Sequence, residues 1–219
     1  MAISLKIAYV KYMTQEIDEN LIRKALDELA NTDPDVAIGL DLVGYPPPRI
    51  RPHGFSTLLN IIVGQQISTK AAASILGRLL DAMGENTAPA LLNLNIDEIR
   101  AAGMSQRKAE YAQGVANAIV SGALDIEALP TMEDDIAIKE LVKLRGIGQW
   151  SGEIYAMFSL GRTDVFPADD IALQEALKRL KRLNERPTGK AIRPLVAHWS
   201  PWRSVGALFL WHYYHGAPN

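Results

Sequence analysis

Along most of the chain, apolar residues recur three or four positions apart, which predicts one amphipathic helix after another. Ile17, Leu21, Ile22, Ala25 and Leu29 form a stripe over residues 15–31, and Pro34 is expected to end that helix. The run DLVGYPPPRIRPHG is rich in Pro and Gly and reads as a linker. Phe55–Val63 predicts a short apolar helix broken at Gly64. Residues 69–83 predict another, with Ile75, Leu76, Leu79 and Leu80 inward and Gly84 as its stop. Asn95 and Glu98 have capping-box spacing and open a short helix that ends at Gly103. Ser105 is expected to cap a helix to about Ser121, and Thr131 the next, with Ile136, Leu141 and Leu144 on its buried side. Residues 170–183, 188–199 and 200–214 complete the set, with Pro201 suited to a first helical turn. No run alternates with the period of a strand, and no repeat is visible. The predicted class is all-α.

Composition narrows what such a fold can be. At 219 residues, with 48% hydrophobic and 22% charged, the chain can bury a core and is not disordered throughout. No stretch approaches the roughly 20 apolar residues of a membrane helix. The opening MAISLKIAYVKY has no long apolar core, so no signal peptide is expected. There is no cysteine, which excludes disulfides, thiolate zinc sites and cysteine-held iron–sulfur clusters. An intracellular protein is the expectation.

A net charge of −2 argues weakly against nucleic acid. Its distribution changes the picture. From Lys178 to Arg203 there are eight basic residues and one acid, Glu185, whereas residues 1–50 carry eight acids against five bases. A solvated helix face and a DNA-binding face are both open readings of that basic stretch.

Three features carry candidate chemistry. Leu144-Arg145-Gly146-Ile147-Gly148 lies between two helical patterns. Glycines on either side of one apolar residue allow positive φ and close backbone approach, and the next helix can offer its N–H groups to a phosphate. Ile147 would plug the gap between the two helices. A ligand-free helical turn remains the alternative. Asp170 stands at the start of a helix, where capping is its ordinary role. A carboxylate there can also stabilise a cation such as the oxocarbenium-like sugar formed when a nucleoside C–N bond breaks. A purine alkylated at N3 or N7 is already positive and leaves readily, so one carboxylate and a water can suffice. Trp150, Trp199, Trp202 and Trp211 all lie in the C-terminal third. Core packing is one reading; a flat pocket that favours a cationic base is the other. His53, His198, His212 and His215 show no metal-ligand spacing.

At these residues the sequence resembles the helix–hairpin–helix DNA glycosylases, and within them the alkylpurine, 3-methyladenine type. The stretches that carry the likeness are GFSTLLNIIVGQQIS, GMSQRKAEYAQGVANAI, LRGIGQWSGEIYAMFSLGRTDVFPADDIAL and WSPWRSVGALFLWHYY. The resemblance implies a monofunctional glycosylase that excises alkylated purines in base excision repair. Asp170 falls at the family's catalytic aspartate. The position that holds a Schiff-base lysine in bifunctional relatives is Trp150. Trp150, Ile154, Tyr155 and Trp211 fall at or beside the base pocket, with Ile154 standing where the alkylpurine enzyme has an aromatic residue. Gln65, Gln66 and Ser68 match the wedge loop, with Gln66 in the wedge place. Leu144, Gly146, Gly148, Ser151, Arg203 and Ser204 match DNA-binding positions.

The family's larger member has an N-terminal β-domain; this chain is expected to be the compact form without it. The resemblance further implies two helical subdomains, residues 54–163 and residues 1–53 with 164–219, with the DNA cleft between them. It implies a monomer, duplex DNA with damaged bases as partner, and action in the nucleoid or nucleus. No cofactor or metal site is expected, apart from a monovalent cation that the hairpin backbone can hold. Two alternatives stay open: a glycosylase for mismatched, deaminated or oxidised bases, and a non-catalytic DNA-binding module.

Overall fold

The computed structural model describes residues 16–218. Among them are twelve α-helices and no strand. They are α1 (Glu19–Thr32), α2 (Pro34–Val43), α3 (Phe55–Gly64), α4 (Thr69–Met83), α5 (Ala88–Leu92) and α6 (Ile96–Ala101). Then follow α7 (Gln106–Val120), α8 (Asp134–Val142), α9 (Gln149–Ser159), α10 (Ile171–Leu180), α11 (Gly189–Leu195) and α12 (Arg203–Gly216). No helix among the described residues is long and apolar enough to cross a membrane.

The helices divide into two units, and the chain passes from one to the other within α9. The first unit, Arg51–Tyr155, is organised on α7, against which α3, α5 and α6 pack. Its core includes Leu58, Leu59 and Ile62 of α3 with Leu79, Leu91, Ile99 and Leu129, all fully buried. Each such side chain contributes about 1.5–3 kcal/mol relative to leaving it in water. The second unit combines, among the described residues, 16–50 with 156–218. Its centre is α12, with Ser204 to Trp211 buried in succession and α1, α2 and α10 packed against it. Gly39 lets α2 approach closely: a Cβ there would lie 2.7 Å from Leu180 and 2.9 Å from Phe209.

Local signals placed the helix starts well. Ser105 Oγ accepts from Lys108 N at 3.3 Å, and Asn95 and Glu98 make the full capping box. Elsewhere the expectation needs correction. The first helix does end before Pro34, at Thr32, but Pro34 also opens α2, because a first-turn residue has no need of its N–H. Thr131 does not cap α8: its hydroxyl donates back to Ala128 O at 2.8 Å, within the 3-10 turn Leu129–Thr131. Helix α8 starts later, at Asp134, which turns Ile136 outward (49% exposed) and leaves Leu144 half-buried. Pro201 precedes α12, which begins at Arg203.

Candidate active site

The hairpin of the first unit joins α8 to α9. Ile147 N donates to Leu144 O at 3.0 Å and closes the turn, and the Ile147 side chain is buried. The two glycines have different reasons. Gly146 has φ 95°, and a Cβ on it would stand 2.3 Å from the Tyr111 ring. Gly148 is exposed, and a Cβ there would meet nothing within 4 Å. The first glycine is demanded by the fold, whereas the second leaves bare backbone facing solvent at the start of α9. The arginine between helix and turn, Arg145, lies over the Tyr111 ring, 5.6 Å from its centroid.

Beside the hairpin lies the loop between α3 and α4. Gln66 at its apex is exposed and has φ 57°, a left-handed conformation uncommon for a residue with a side chain. Gln65 Nε2 donates to Gly146 O at 2.8 Å, so this hairpin carbonyl, at the turn expected to hold a cation, already accepts a side-chain donor. Lys108 Nζ donates to Val63 O at 2.8 Å and Gln65 O at 2.6 Å. Burial lowers the Lys108 pKa. Ser68 caps α4 through Ala71 N. A cavity of about 680 Å³ opens here, lined among others by Gln65, Gln66, Lys108, Tyr111, Gly146 and Gly148.

In the second unit Asp170 is the N-cap of α10. Its Oδ1 accepts from Leu173 N at 3.0 Å and from Trp211 Nε1 at 3.2 Å. These two donors, from different helices, fix the carboxylate, which stays half-exposed. Asp169, its neighbour, is exposed and lies against Gly189, where a Cβ would be 2.0 Å from Asp169 Oδ1. The Trp211 ring is 7% exposed, packs on Phe158 at 5.9 Å between centroids, and has the Arg49 guanidinium 5.8 Å from its own centroid.

The segment leading to Asp170 is pinned by the start of α12. Arg203 forks onto Asp164 with distances of 2.7 and 2.8 Å, and Ser200 Oγ donates to the same carboxylate. Burial pushes the Asp164 pKa up, but the Arg203 and Ser200 bonds and the Arg203 charge outweigh it, and the carboxyl is held below its ordinary value. Ser204 Oγ accepts from Val165 N and donates to Val165 O, while Ser204 N donates to Thr163 O.

Several expected site residues are therefore in other roles. Ser204 is fully buried and braces residues 163–165, with no surface to offer DNA. Arg203 is engaged by Asp164. Ser151, Ile154 and Tyr155 belong to a run from Ser151 to Leu160 that is buried without a break. The Tyr155 hydroxyl accepts from Gly54 N at 2.9 Å and lies 2.8 Å from His53 Nδ1, and burial pushes its pKa up. It is a core residue rather than an open pocket wall. Trp150 remains 38% exposed at the start of α9, and Leu144 is half-buried. Among the described residues, no group of three or more His, Asp or Glu side chains could hold a metal ion.

The basic stretch is partly internal. Lys181 bonds Asp33 at 2.5 Å and Asp35 at 3.2 Å, Arg182 pairs with Asp35, and Arg179 with Glu175. Charge counting along the sequence could not show these partners, which lie up to 148 positions away. Lys108 did leave a signal. It is the third residue of α7, in a first turn without an acid, where a cation opposes the helix dipole.

A helical hairpin with a bare glycine and a capped aspartate at a helix start define a class. Residues 59–201 match the HhH-GPD superfamily of base excision DNA repair proteins, and the chain belongs to that superfamily. Its individual relatives narrow this. It is 29% identical over 211 residues to DNA-3-methyladenine glycosylase 1 of Schizosaccharomyces pombe, covering 91% of this chain and 92% of that protein. The crystal structure of a Bacillus halodurans DNA-3-methyladenine glycosidase is similar with a TM-score of 0.78 and 32% identity, covering 92% of each chain. An S. pombe 3-methyladenine DNA glycosylase in complex with abasic DNA is similar with a TM-score of 0.77 and 30% identity, covering 86% of this chain and 95% of that one. The match to a Bacillus subtilis relative, 32% identical over 165 residues, spans 58% of that protein's length.

Proposed function

We propose that this protein is a monofunctional DNA glycosylase that releases alkylated purines of the 3-methyladenine and 7-methylguanine class from duplex DNA. The observation that carries the reading is Asp170, a half-exposed carboxylate fixed by the Leu173 and Trp211 N–H groups at the start of α10. As the C1′–N bond breaks, its electron pair leaves with the cationic base, which departs neutral. The deoxyribose is left as an oxocarbenium-like cation, which the carboxylate stabilises. Water adds its oxygen to C1′ and gives up a proton. Trp150, at the position of the Schiff-base lysine of bifunctional relatives, offers no amine, so strand cleavage is not part of the reaction.

The target nucleotide must leave the stack, at a cost of a few kcal/mol. Gln66, exposed at the apex of its loop, fills the gap. The hairpin grips one strand through backbone N–H groups at the start of α9, which favour a phosphate and read no sequence. Arg203 and Ser204 act behind the site, by bracing the segment that presents Asp170. The protein works as a monomer, on the cell's own DNA, without a cofactor.

The test is base release from duplexes carrying 3-methyladenine, 7-methylguanine, hypoxanthine, uracil or 8-oxoguanine. Release of the two alkylated bases without strand cleavage is expected. Asp170→Asn should slow release roughly a thousandfold while binding abasic DNA normally. Preferred release of uracil or 8-oxoguanine, or ordinary turnover by the variant, would overturn the reading.

A further inference from the structure

A lysine in the first turn of a helix faces the positive end of the helix dipole, so Lys108 stands where its charge is locally unfavourable. Its ammonium is nevertheless drawn in toward two backbone carbonyls, Val63 O and Gln65 O. Val63 lies in the last turn of α3 and Gln65 is its C-cap, so both oxygens belong to a helix end where carbonyls lack intrahelical partners. A cation is favoured at that end of a dipole. The unfavourable placement on α7 is thus offset by a favourable one on α3.

The same loop is tied a second time, by Gln65 Nε2 to Gly146 O of the hairpin. Gln66 follows directly, held at φ 57° with its side chain exposed. A non-glycine residue keeps a left-handed conformation only when its surroundings impose it. The two ties flank that residue on its N-terminal side and supply the constraint.

We infer that Lys108 is a positioning residue: it clamps the end of α3 so that Gln66 is presented, preformed, to the DNA duplex, and Gln65 couples this presentation to the hairpin. The inference rests on the glycosylase reading for its purpose, but the clamp is a property of the loop itself. Lys108 acts through Gln66 and need touch neither base nor sugar.

Two measurements on the full chain test it. Amide hydrogen exchange over residues 64–68 should rise about tenfold in Lys108→Met, with the rest of α3 little changed. Single-turnover release of 3-methyladenine from a duplex should fall about tenfold, whereas release from a single strand, which needs no wedge, should change less than twofold. Gln65→Met, which cuts the other tie, should likewise raise exchange over 64–68, and Lys108→Arg should restore most of the duplex rate. Adding Gln66→Gly to Lys108→Met should cause little further loss, because both changes act on one element. Unchanged exchange over 64–68, or equal losses on duplex and single strand, would overturn the clamp. A wild-type protein that releases no alkylpurine from either DNA would instead sink the glycosylase reading, and the exchange measurement would still decide the role of Lys108.

Discussion

The hairpin region and the Asp170 region are built from different materials. In the first, the groups that do the positioning are mostly backbone: the Gly146, Val63 and Gln65 carbonyls, reached by one lysine and one glutamine. In the second they are carboxylates. Asp170, Asp164 and Asp33 each collect donors from helices distant in sequence. A backbone-built site depends on shape, so it should break when a glycine gains a methyl group. A carboxylate-built site depends on paired charge, so it should break when a carboxylate is neutralised, and it should respond to acid.

Asp33 is the sharpest instance of the second kind and carries the largest expected effect on stability. It is 2% exposed and serves as N-cap of α2. Trp199 Nε1 donates to it at 2.7 Å, His198 Nε2 lies at 2.9 Å, and Lys181 Nζ donates at 2.5 Å. Asp33→Asn leaves Lys181 half-paired at the edge of the core and should cost about 3–5 kcal/mol, read by urea unfolding. The acid response has a definite sign. Burial pushes the Asp33 pKa up, but bonds from Lys181, Trp199 and His198 and the Lys181 charge outweigh it and hold it at about 2 against an ordinary 3.8. Its contribution is complete above the ordinary value and is lost as pH falls through the depressed one. Wild type and Asp33→Asn should therefore converge by about 2 kcal/mol as pH drops from about 5 toward 2. A gap independent of pH would show that the network does not rest on the charge.

Gly146→Ala is the corresponding break in the hairpin. The added methyl meets Tyr111 and must also hold φ 95°. Strain and overlap together should cost about 2–3 kcal/mol, seen as a lower melting temperature without DNA. An unchanged melting temperature would mean that the turn can relax, and that Gly146 is not the residue that shapes it.

The two regions also differed in how far the sequence revealed them. Features fixed by neighbours within four positions were legible: the Asn95–Glu98 box, the Ser105 cap, the hairpin glycines, and Asp170 at a helix start. Asp170 was legible at its helix start because the cap it makes is to Leu173, three residues on. Partnerships across long separations were not. Nothing in the string links Asp33 to Trp199, or Asp164 to Arg203, so the basic stretch 178–203 read as a surface although several of its charges pair internally. Tyr155 stands beside a pocket position in the family pattern, yet it and Ile154 before it are both buried, by packing against residues distant in sequence that the string does not show. Lys108, within GMSQRKAEYAQ, shows in the string only as a first-turn cation; its partners are backbone oxygens, which no residue pattern encodes.

Gly148 gives the smallest and most discriminating prediction. It shares the hairpin with Gly146 but lacks any neighbour that a Cβ would meet, and its backbone is not in the left-handed region. Folding therefore supplies no reason for a glycine there. If close approach of a DNA backbone is the reason, Gly148→Ala should leave the melting temperature within about 2 °C of wild type and weaken binding of abasic duplex about tenfold, or 1.4 kcal/mol. The loss should be similar for any surrounding sequence, since a backbone grip reads none. Equal affinity in the variant would separate the hairpin from DNA binding and leave it a structural turn. Together with Gly146→Ala, the pair divides one motif into a residue kept for the fold and a residue kept for the ligand.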